Sequence, residues 1–150
     1  MSRKEAAMDY FSSGYNCAQS VMLAFSDLLP VDQATLARLS SSFGGGMGRL
    51  REVCGAVSGM FLVAGLLYGF AGDVSRDEKA AHYARIQALA HAFAEKNGSI
   101  VCRELLGLNA KHDPPTPEAR TAAYYQKRPC KALVGDAAEI LEAFLSGTSD

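Results

Sequence analysis

A run of twenty residues without a charged side chain, residues 53–72, constrains the fold of this chain more than any other segment. Its length would suffice to span a bilayer. The segments around it, however, have the pattern of ordinary amphipathic helices, which have no reason to surround a lipid-facing span. We therefore predict that the run forms a buried helix of a water-soluble bundle, with no stable membrane span.

The run is also rich in glycine, although each glycine inside a helix costs about 1 kcal/mol relative to alanine. At 100° per residue its small residues fall within an arc of about 140°. They are Gly55, Gly59, Gly65, Gly69, Gly72, Cys54 and Ser58. Large apolar side chains fill the remainder, so we expect a central helix whose small face lets another helix approach closely beside Cys54. Helix packing alone, with Cys54 as filler, is the alternative.

The rest of the sequence is predicted to be helical, because no run alternates with the period of a strand. Residues that favour helix N-caps precede five predicted helices: Ser2, Asn16, Asp32, Ser75 and Ser99. Pro30 is expected to stop the second helix and Gly98 to end the helix that follows Ser75. Thr116 with Pro117 is expected to open a segment after the proline-rich break, and Pro129 to open the last helix.

These signals predict an all-α fold. We expect a bundle of about six or seven helices around the central glycine-rich apolar helix. A chain of 150 residues is typical of one domain, so residues 1–150 are predicted to form a single four-cysteine helical domain.

The charge balance excludes some classes of partner. Fifteen basic and sixteen acidic side chains leave a net charge of −1, so the chain has no electrostatic footprint for nucleic acid. The first residues, "MSRKEAAMDYFSSGYN", lack the apolar core of a secretory signal, which makes the cytoplasm the expected location. Structural disulfides are rare there, so the four cysteines indicate metal binding or redox chemistry. With 49% hydrophobic residues, a homodimer is compatible with the composition.

All the cysteines are predicted to lie at helix starts. They are Cys17, Cys54, Cys102 and Cys130. Free backbone N–H groups and the helix dipole favour an anion at such positions and lower the pKa of a thiol. Arg49 and Arg51, shortly before Cys54, either stabilise a nearby thiolate or an anionic ligand, or are solvated surface charges.

The cysteine spacing matches no local motif. Neighbouring cysteines are 37, 48 and 28 residues apart, without a Cys-x-x-Cys pair. The thioredoxin, zinc-ribbon and ferredoxin patterns are therefore absent, and any site must be assembled by the tertiary fold. Three disulfide pairings remain open at this point.

Other residues carry weaker signals. The segment "FGGGMG" lacks the lysine and the serine or threonine of a phosphate-binding loop, so we predict a tight turn before the central helix. His82, His91 and His112 show no metal-ligand spacing; the first two are expected at the surface or its boundary, and only His112 stays a candidate. Tyr124 and Tyr125 are expected either to cover a site near the last cysteine or to pack in the core.

The contexts of the cysteines resemble those of a known family. The segments "GYNCAQSV", "FGGGMGRLREVCGAVSG", "CRELLG" and "CKALVGDAAEIL" are similar to the C_GCAxxG_C_C family, whose members are small, mostly helical prokaryotic proteins. The similarity extends over essentially the whole chain. It implies a redox function of the cysteines, or metal or iron–sulfur binding, and specifies no substrate, partner or catalytic step.

The sequence leaves three hypotheses open. In the first, which we favour, Cys17, Cys54, Cys102 and Cys130 carry thiol–disulfide exchange or electron transfer with an unknown redox partner. Cys54 is then the expected buried central member, whose thiolate of low pKa attacks a disulfide or is paired with a resolving cysteine. In the second, the same four cysteines bind zinc or an iron–sulfur cluster without catalysis. In the third, the protein is a helical interaction scaffold with structural cysteines. Whether it is an enzyme stays open.

Overall fold

The computed structural model describes residues 1–108 and 112–147, in which the regular structure is helical and no strand forms. The helices are α1 (Arg3–Ser12), α2 (Cys17–Leu23), α3 (Gln33–Ser41), α4 (Gly44–Met47), α5 (Gly55–Tyr68), α6 (Arg76–Asn97), α7 (Cys102–Leu105), α8 (Ala122–Lys127) and α9 (Cys130–Leu145). In these ranges six helices have seven or more residues and three are shorter. The all-α prediction is confirmed.

Polar side chains cap the N-termini of four of the longer helices, at the residues that were predicted as N-caps from the sequence. Ser2, Asn16, Asp32 and Ser75 each accept a hydrogen bond from the backbone N–H three residues further on. At Asn16 the Gln19 side chain accepts from the Asn16 N–H in return, which completes a reciprocal capping box. Losing such a cap typically costs about 1 kcal/mol. Local chemistry therefore sets these helix starts.

The second helix is shorter than predicted. It ends at Leu23 instead of continuing to Pro30, and a 3-10 turn over Ser26–Leu28 follows. Backbone hydrogen bonds between residues three apart tighten the chain here, from Phe25 N to Met22 O and from Leu28 N to Phe25 O. The tighter path places Phe25 fully in the core.

Helices α7 and α8 begin later than predicted. The Ser99 hydroxyl accepts from the N–H of Val101 at 2.9 Å, so it stabilises a turn, and α7 starts at Cys102 without a side-chain cap. Thr121 caps α8 instead of Thr116. Prolines lack a backbone N–H and disfavour helical geometry in the residue before them, which leaves residues 112–121 as a loop.

The glycines of α5 permit the predicted close approach at two positions. A Cβ on Gly55 would lie 3.0 Å from the Cβ of Cys17, and a Cβ on Gly59 would lie 2.9 Å from the Cβ of Val21. Both neighbours belong to α2, so these glycines bring the backbone of α2 and its first residue, Cys17, against the start of α5.

The same prediction is wrong for the later glycines. Nothing lies within 4 Å of a Cβ placed on Gly65 or Gly72. The helix ends at Tyr68, earlier than expected, so Gly69 and Gly72 lie outside it and the helical wheel does not apply to them. The residues at the N-terminal end of α5 are therefore the ones that position another helix.

A continuous apolar core lies between the helices. Helix α1 packs on α2 and α9, and α5 packs on α2, α4, α6 and α9. The largest buried side chains are Phe11, Phe25, Phe93, Met22 and Met60. None of the helices in residues 1–108 and 112–147 has the length and apolar character needed to cross a membrane.

The glycine-rich segment before α5 is a strained turn. Five consecutive residues have φ between 61° and 70°: Gly45, Gly46, Met47, Gly48 and Arg49. Such left-handed geometry costs about 1–2 kcal/mol for a residue with a side chain, and Met47, Arg49 and Arg51 all adopt it. The prediction of a tight turn is confirmed, and backbone strain of this kind clusters at functional sites.

Candidate functional site

The four cysteines line one cavity of about 280 Å³ at the end of the bundle where α2, α5, α7 and α9 begin. Cys17, Cys102 and Cys130 are the first residues of their helices, and Cys54 directly precedes α5. The predicted placement at helix starts is confirmed. All four thiols are free.

Cys17 and Cys130 form the more accessible pair. Both are half-buried, and the Cys17 thiol donates a hydrogen bond to the Cys130 sulfur. That bond lowers the pKa of Cys130 to about 7, from an ordinary 9.0, with help from the Arg128 charge and a hydrogen bond from the Tyr124 hydroxyl. The donated hydrogen bond and burial raise the pKa of Cys17 well above 9.0. Near neutral pH a substantial fraction of Cys130 is thiolate, whereas Cys17 keeps its proton.

Cys54 and Cys102 are the buried pair. Burial raises the pKa of Cys54 to about 12, although the backbone N–H groups of Ala56 and Val57 donate to its sulfur. Burial also raises the pKa of Cys102, against a hydrogen bond from Arg51 Nη1 at 3.5 Å. The expectation that Cys54 is the thiolate of low pKa is wrong. Removal from water outweighs the N–H groups at the helix start.

A short pairing of extended chain connects the segments that carry these two thiols. Val53 and Val101 form an antiparallel bridge. Next to it, Cys54 N donates to Ile100 O at 2.7 Å and Cys102 N donates to Glu52 O at 2.6 Å. The starts of α5 and α7 are thereby held side by side at the cavity.

Arg51 connects the Cys102 thiol to the loop of residues 112–121. Its side chain is buried, and its Nε and Nη2 atoms donate to Asp113 Oδ2 at 2.8 and 2.7 Å. The guanidinium lowers the pKa of the Asp113 carboxyl. Arg51 is therefore not a solvated surface charge, since its buried guanidinium lies beside the Cys102 thiol. Asp113 was missed, because an acidic residue beside two prolines carries no periodic signal.

The loop of residues 112–121 covers the cavity and is fixed at several points. Arg49 Nε donates to Pro114 O at 2.7 Å, and Arg128 Nη2 lies 3.1 Å from both carboxylate oxygens of Glu118. Arg120 donates to the Tyr15 carbonyl at 2.7 Å and stacks on the Phe11 ring at 4.0 Å. Sequence reasoning missed Glu118, Arg120 and Arg128, since only the fold brings them together.

Tyr124 and Tyr125 differ in what their side chains contact. The Tyr124 hydroxyl donates to Cys130, and burial raises the pKa of Tyr124 to about 12. Tyr124 therefore covers the site, as one of the sequence interpretations held. Tyr125 instead packs edge-to-face on Phe11, with ring centroids 6.1 Å apart.

The histidines lie outside the cavity lining. His91 and His112 are exposed, so His112 loses its place as a candidate. His82 is buried against Phe70, which corrects its expected position at the surface or its boundary. No imidazole therefore lines the cavity among the described residues.

The arrangement also bears on metal binding. Among residues 1–108 and 112–147, no three cysteine, histidine, aspartate or glutamate side chains are placed to hold one metal ion. Structural zinc sites use four such ligands at about 2.0–2.3 Å. A shared zinc or iron–sulfur centre at the four cysteines stays a prediction from the sequence.

The rate of alkylation of Cys130 should rise with a midpoint near pH 7, because only the thiolate reacts and its pKa is about 7. An ordinary thiol would give a midpoint near 9. Tyr124→Phe removes one donor and should raise the midpoint by about one pH unit, since a hydrogen bond to a charged group contributes about 1.5 kcal/mol. Iodoacetamide labelling followed by peptide mass spectrometry measures both profiles.

Tyr125→Phe is the matched control for that experiment, because Tyr125 contacts Phe11 and makes no hydrogen bond to the thiol. Its profile should coincide with that of the unmodified protein. A wild-type midpoint near 9, or an equal shift in both variants, would contradict the assignment.

The fold and the cavity define the class: an all-α protein whose chemistry is carried by cysteines. The chain belongs to the C_GCAxxG_C_C family, since the sequence model described as "Putative redox-active protein (C_GCAxxG_C_C)" matches residues 15–144. That range contains all four cysteines, so the resemblance seen in their contexts is confirmed. Neither the curated proteins nor the solved structures include a match to the chain.

Proposed function

We propose that this redox-active protein exchanges thiols and disulfides through Cys130 and Cys17. One observation carries the proposal: Cys130 and Cys17 line the same cavity and share a hydrogen bond, which lowers the pKa of Cys130 and raises that of Cys17. A nucleophile whose pKa lies near the ambient pH is the most effective attacking thiol. The protonated neighbour is the natural resolving thiol.

The first step forms a mixed disulfide. The Cys130 thiolate attacks one sulfur of a substrate disulfide, the substrate S–S bond breaks, and the departing thiolate takes a proton from water. Arg128 and the Tyr124 hydroxyl stabilise the attacking thiolate before the step. Cys54 and Cys102 are protonated at neutral pH and take no part in it.

The second step releases the substrate. The Cys17 sulfur attacks the Cys130 sulfur, its proton passes to the departing substrate thiolate, and the mixed disulfide breaks. The balance is one substrate disulfide reduced to two thiols and one Cys17–Cys130 disulfide formed. In the cytoplasm, where we place the protein, thiol pools would return the pair to its reduced form by the reverse reaction.

Disulfide mapping tests the proposal. The reduced protein is treated with one equivalent of bis(2-hydroxyethyl) disulfide, unfolded, alkylated and digested. We expect one Cys17–Cys130 disulfide per chain, with Cys54 and Cys102 recovered as alkylated thiols. A different pairing, or four alkylated thiols, would overturn the assignment of the pair.

A further inference from the structure

The position of Cys130 limits the size of its reaction partner. Its sulfur lies in a cavity of about 280 Å³, near the lower end of the roughly 300–1,000 Å³ of small-molecule pockets. The loop of residues 112–121 covers that cavity, and ion pairs hold it from Arg51 to Asp113 and from Arg128 to Glu118. A disulfide on a folded protein is held in a bulky surface and is a poor fit to a cavity of this volume with a loop across it. A small disulfide is a better fit.

The charged residues around the cavity are mostly cationic. Four of the nine arginines of the chain line it: Arg49, Arg51, Arg120 and Arg128. Among the described lining residues Glu118 is the only acid, and Asp113 contacts Arg51 from the loop. The net charge of the chain is −1, so this excess is local.

The cationic excess persists when Cys130 is ionised. Four arginines exceed the combined charge of Asp113, Glu118 and one thiolate. The N-terminal ends of α5 and α9, helices of 14 and 16 residues, add positive partial charge at the same place.

The remaining walls are apolar. Leucine, proline and aromatic side chains line the cavity between the arginines: Phe11, Leu105, Leu106, Leu133, Pro115 and Pro117. Such walls suit the methylene groups of a small organic molecule, while the arginines suit its carboxylates.

From this combination we infer that the substrate is a low-molecular-weight disulfide that carries carboxylates. The inference rests on the proposed exchange function and specifies what enters the cavity. The reaction is that given above, with two small anionic thiols as products.

A charge series of disulfides of similar size tests the inference. The substrates are dithiodiglycolate (a dianion), bis(2-hydroxyethyl) disulfide (neutral) and cystamine (a dication). The rate of Cys17–Cys130 disulfide formation is measured for each at low ionic strength. The rate for each disulfide is then divided by the rate at which the same disulfide reacts with the neutral thiol N-acetylcysteinamide. This division removes differences in intrinsic reactivity between the disulfides. We expect the normalised rate for the dianion to exceed that for the dication by at least about tenfold, and the ratio to fall with added salt.

Two variants test whether the preference for the dianion arises from charges at the cavity. Arg49→Gln should reduce the preference for the dianion by about twofold to fourfold, the range for a partly exposed cation. Arg76→Gln removes the same charge from an exposed position outside the cavity lining and should leave the preference unchanged. Equal effects of the two variants would show that net charge alone is responsible.

The outcomes separate this inference from the proposed function. Equal normalised rates across the series would overturn the inference and leave the exchange function standing. Faster reaction with the disulfides of insulin than with dithiodiglycolate would also overturn it, in favour of a protein substrate. Failure to form the Cys17–Cys130 disulfide with any of these compounds would overturn the proposed function itself.

Discussion

Cys17→Ser is expected to retain half of a substrate disulfide on Cys130, whereas Cys130→Ser is expected to form adducts at least about tenfold more slowly at neutral pH. In the first variant the thiolate is present, because a serine hydroxyl still donates to it, but no thiol remains beside it to resolve the mixed disulfide. In the second variant burial still raises the pKa values of Cys54 and Cys102, and burial also acts on Cys17, which has lost its thiolate partner. Intact mass spectrometry after treatment with dithiodiglycolate measures the adducts.

The size of the effect follows from ionisation. At pH 7 a thiol of pKa about 7 is roughly half ionised, against about one per cent for a thiol at 9. The lower nucleophilicity of the more acidic thiolate offsets part of this advantage. A loss of at least about tenfold in the rate of the first step is therefore expected for Cys130→Ser.

Cys54→Ala is the control for these variants, because Cys54 is buried and protonated. A folded Cys54→Ala protein should still form the Cys17–Cys130 disulfide. An adduct on Cys54 in the unmodified protein, or loss of exchange in a folded Cys54→Ala variant, would restore Cys54 as the reactive thiol. Circular dichroism establishes that the variant is folded.

Gly46→Ala is expected to lower the free energy of unfolding by about 3 kcal/mol or more. Gly46 has φ +70°, and a Cβ there would lie 2.6 Å from the Cβ of Cys102 and 2.9 Å from the Cα of Arg51. The left-handed conformation costs about 1–2 kcal/mol for alanine, and overpacking adds about 1–3 kcal/mol. Urea denaturation measures the loss, which is large against a typical total of about 5–15 kcal/mol.

Gly48→Ala separates the two contributions. Gly48 has φ +61° in the same turn, but its nearest neighbour, Ser42 O, would be 3.7 Å from an added Cβ. This variant should lose only the conformational cost of about 1–2 kcal/mol. In a folded Gly46→Ala protein, displacement of Cys102 should also make that thiol easier to alkylate. Equal losses of stability in the two variants would show that the contact with Cys102 is unimportant.

Much of the helical framework could be predicted because its determinants are local. The caps at Ser2, Asn16, Asp32 and Ser75 act on N–H groups three residues away. A capping side chain and its N–H groups are neighbours in the chain, so they can be identified without the fold. The placement of Cys17 was predictable for the same reason, whereas Cys54, Cys102 and Cys130 lie at helix starts that have no side-chain cap.

The site shows where local reasoning fails. Cys54 and Cys130 both lie at helix starts, yet their pKa values move in opposite directions. Cys54 is removed from water by the core, whereas Cys130 receives a hydrogen bond from Cys17. Burial and a partner more than a hundred residues away leave no trace in the sequence around either cysteine.

The sequence by itself determined an all-α protein of the C_GCAxxG_C_C family, most of its helix starts and the close approach of another helix beside Cys54. Only the tertiary structure decided which thiols meet, which one ionises near pH 7, and that a loop and four arginines enclose them. Capping and helical periodicity act between near neighbours in the chain. The pKa of a thiol depends on burial and on charges that the fold brings together from distant segments.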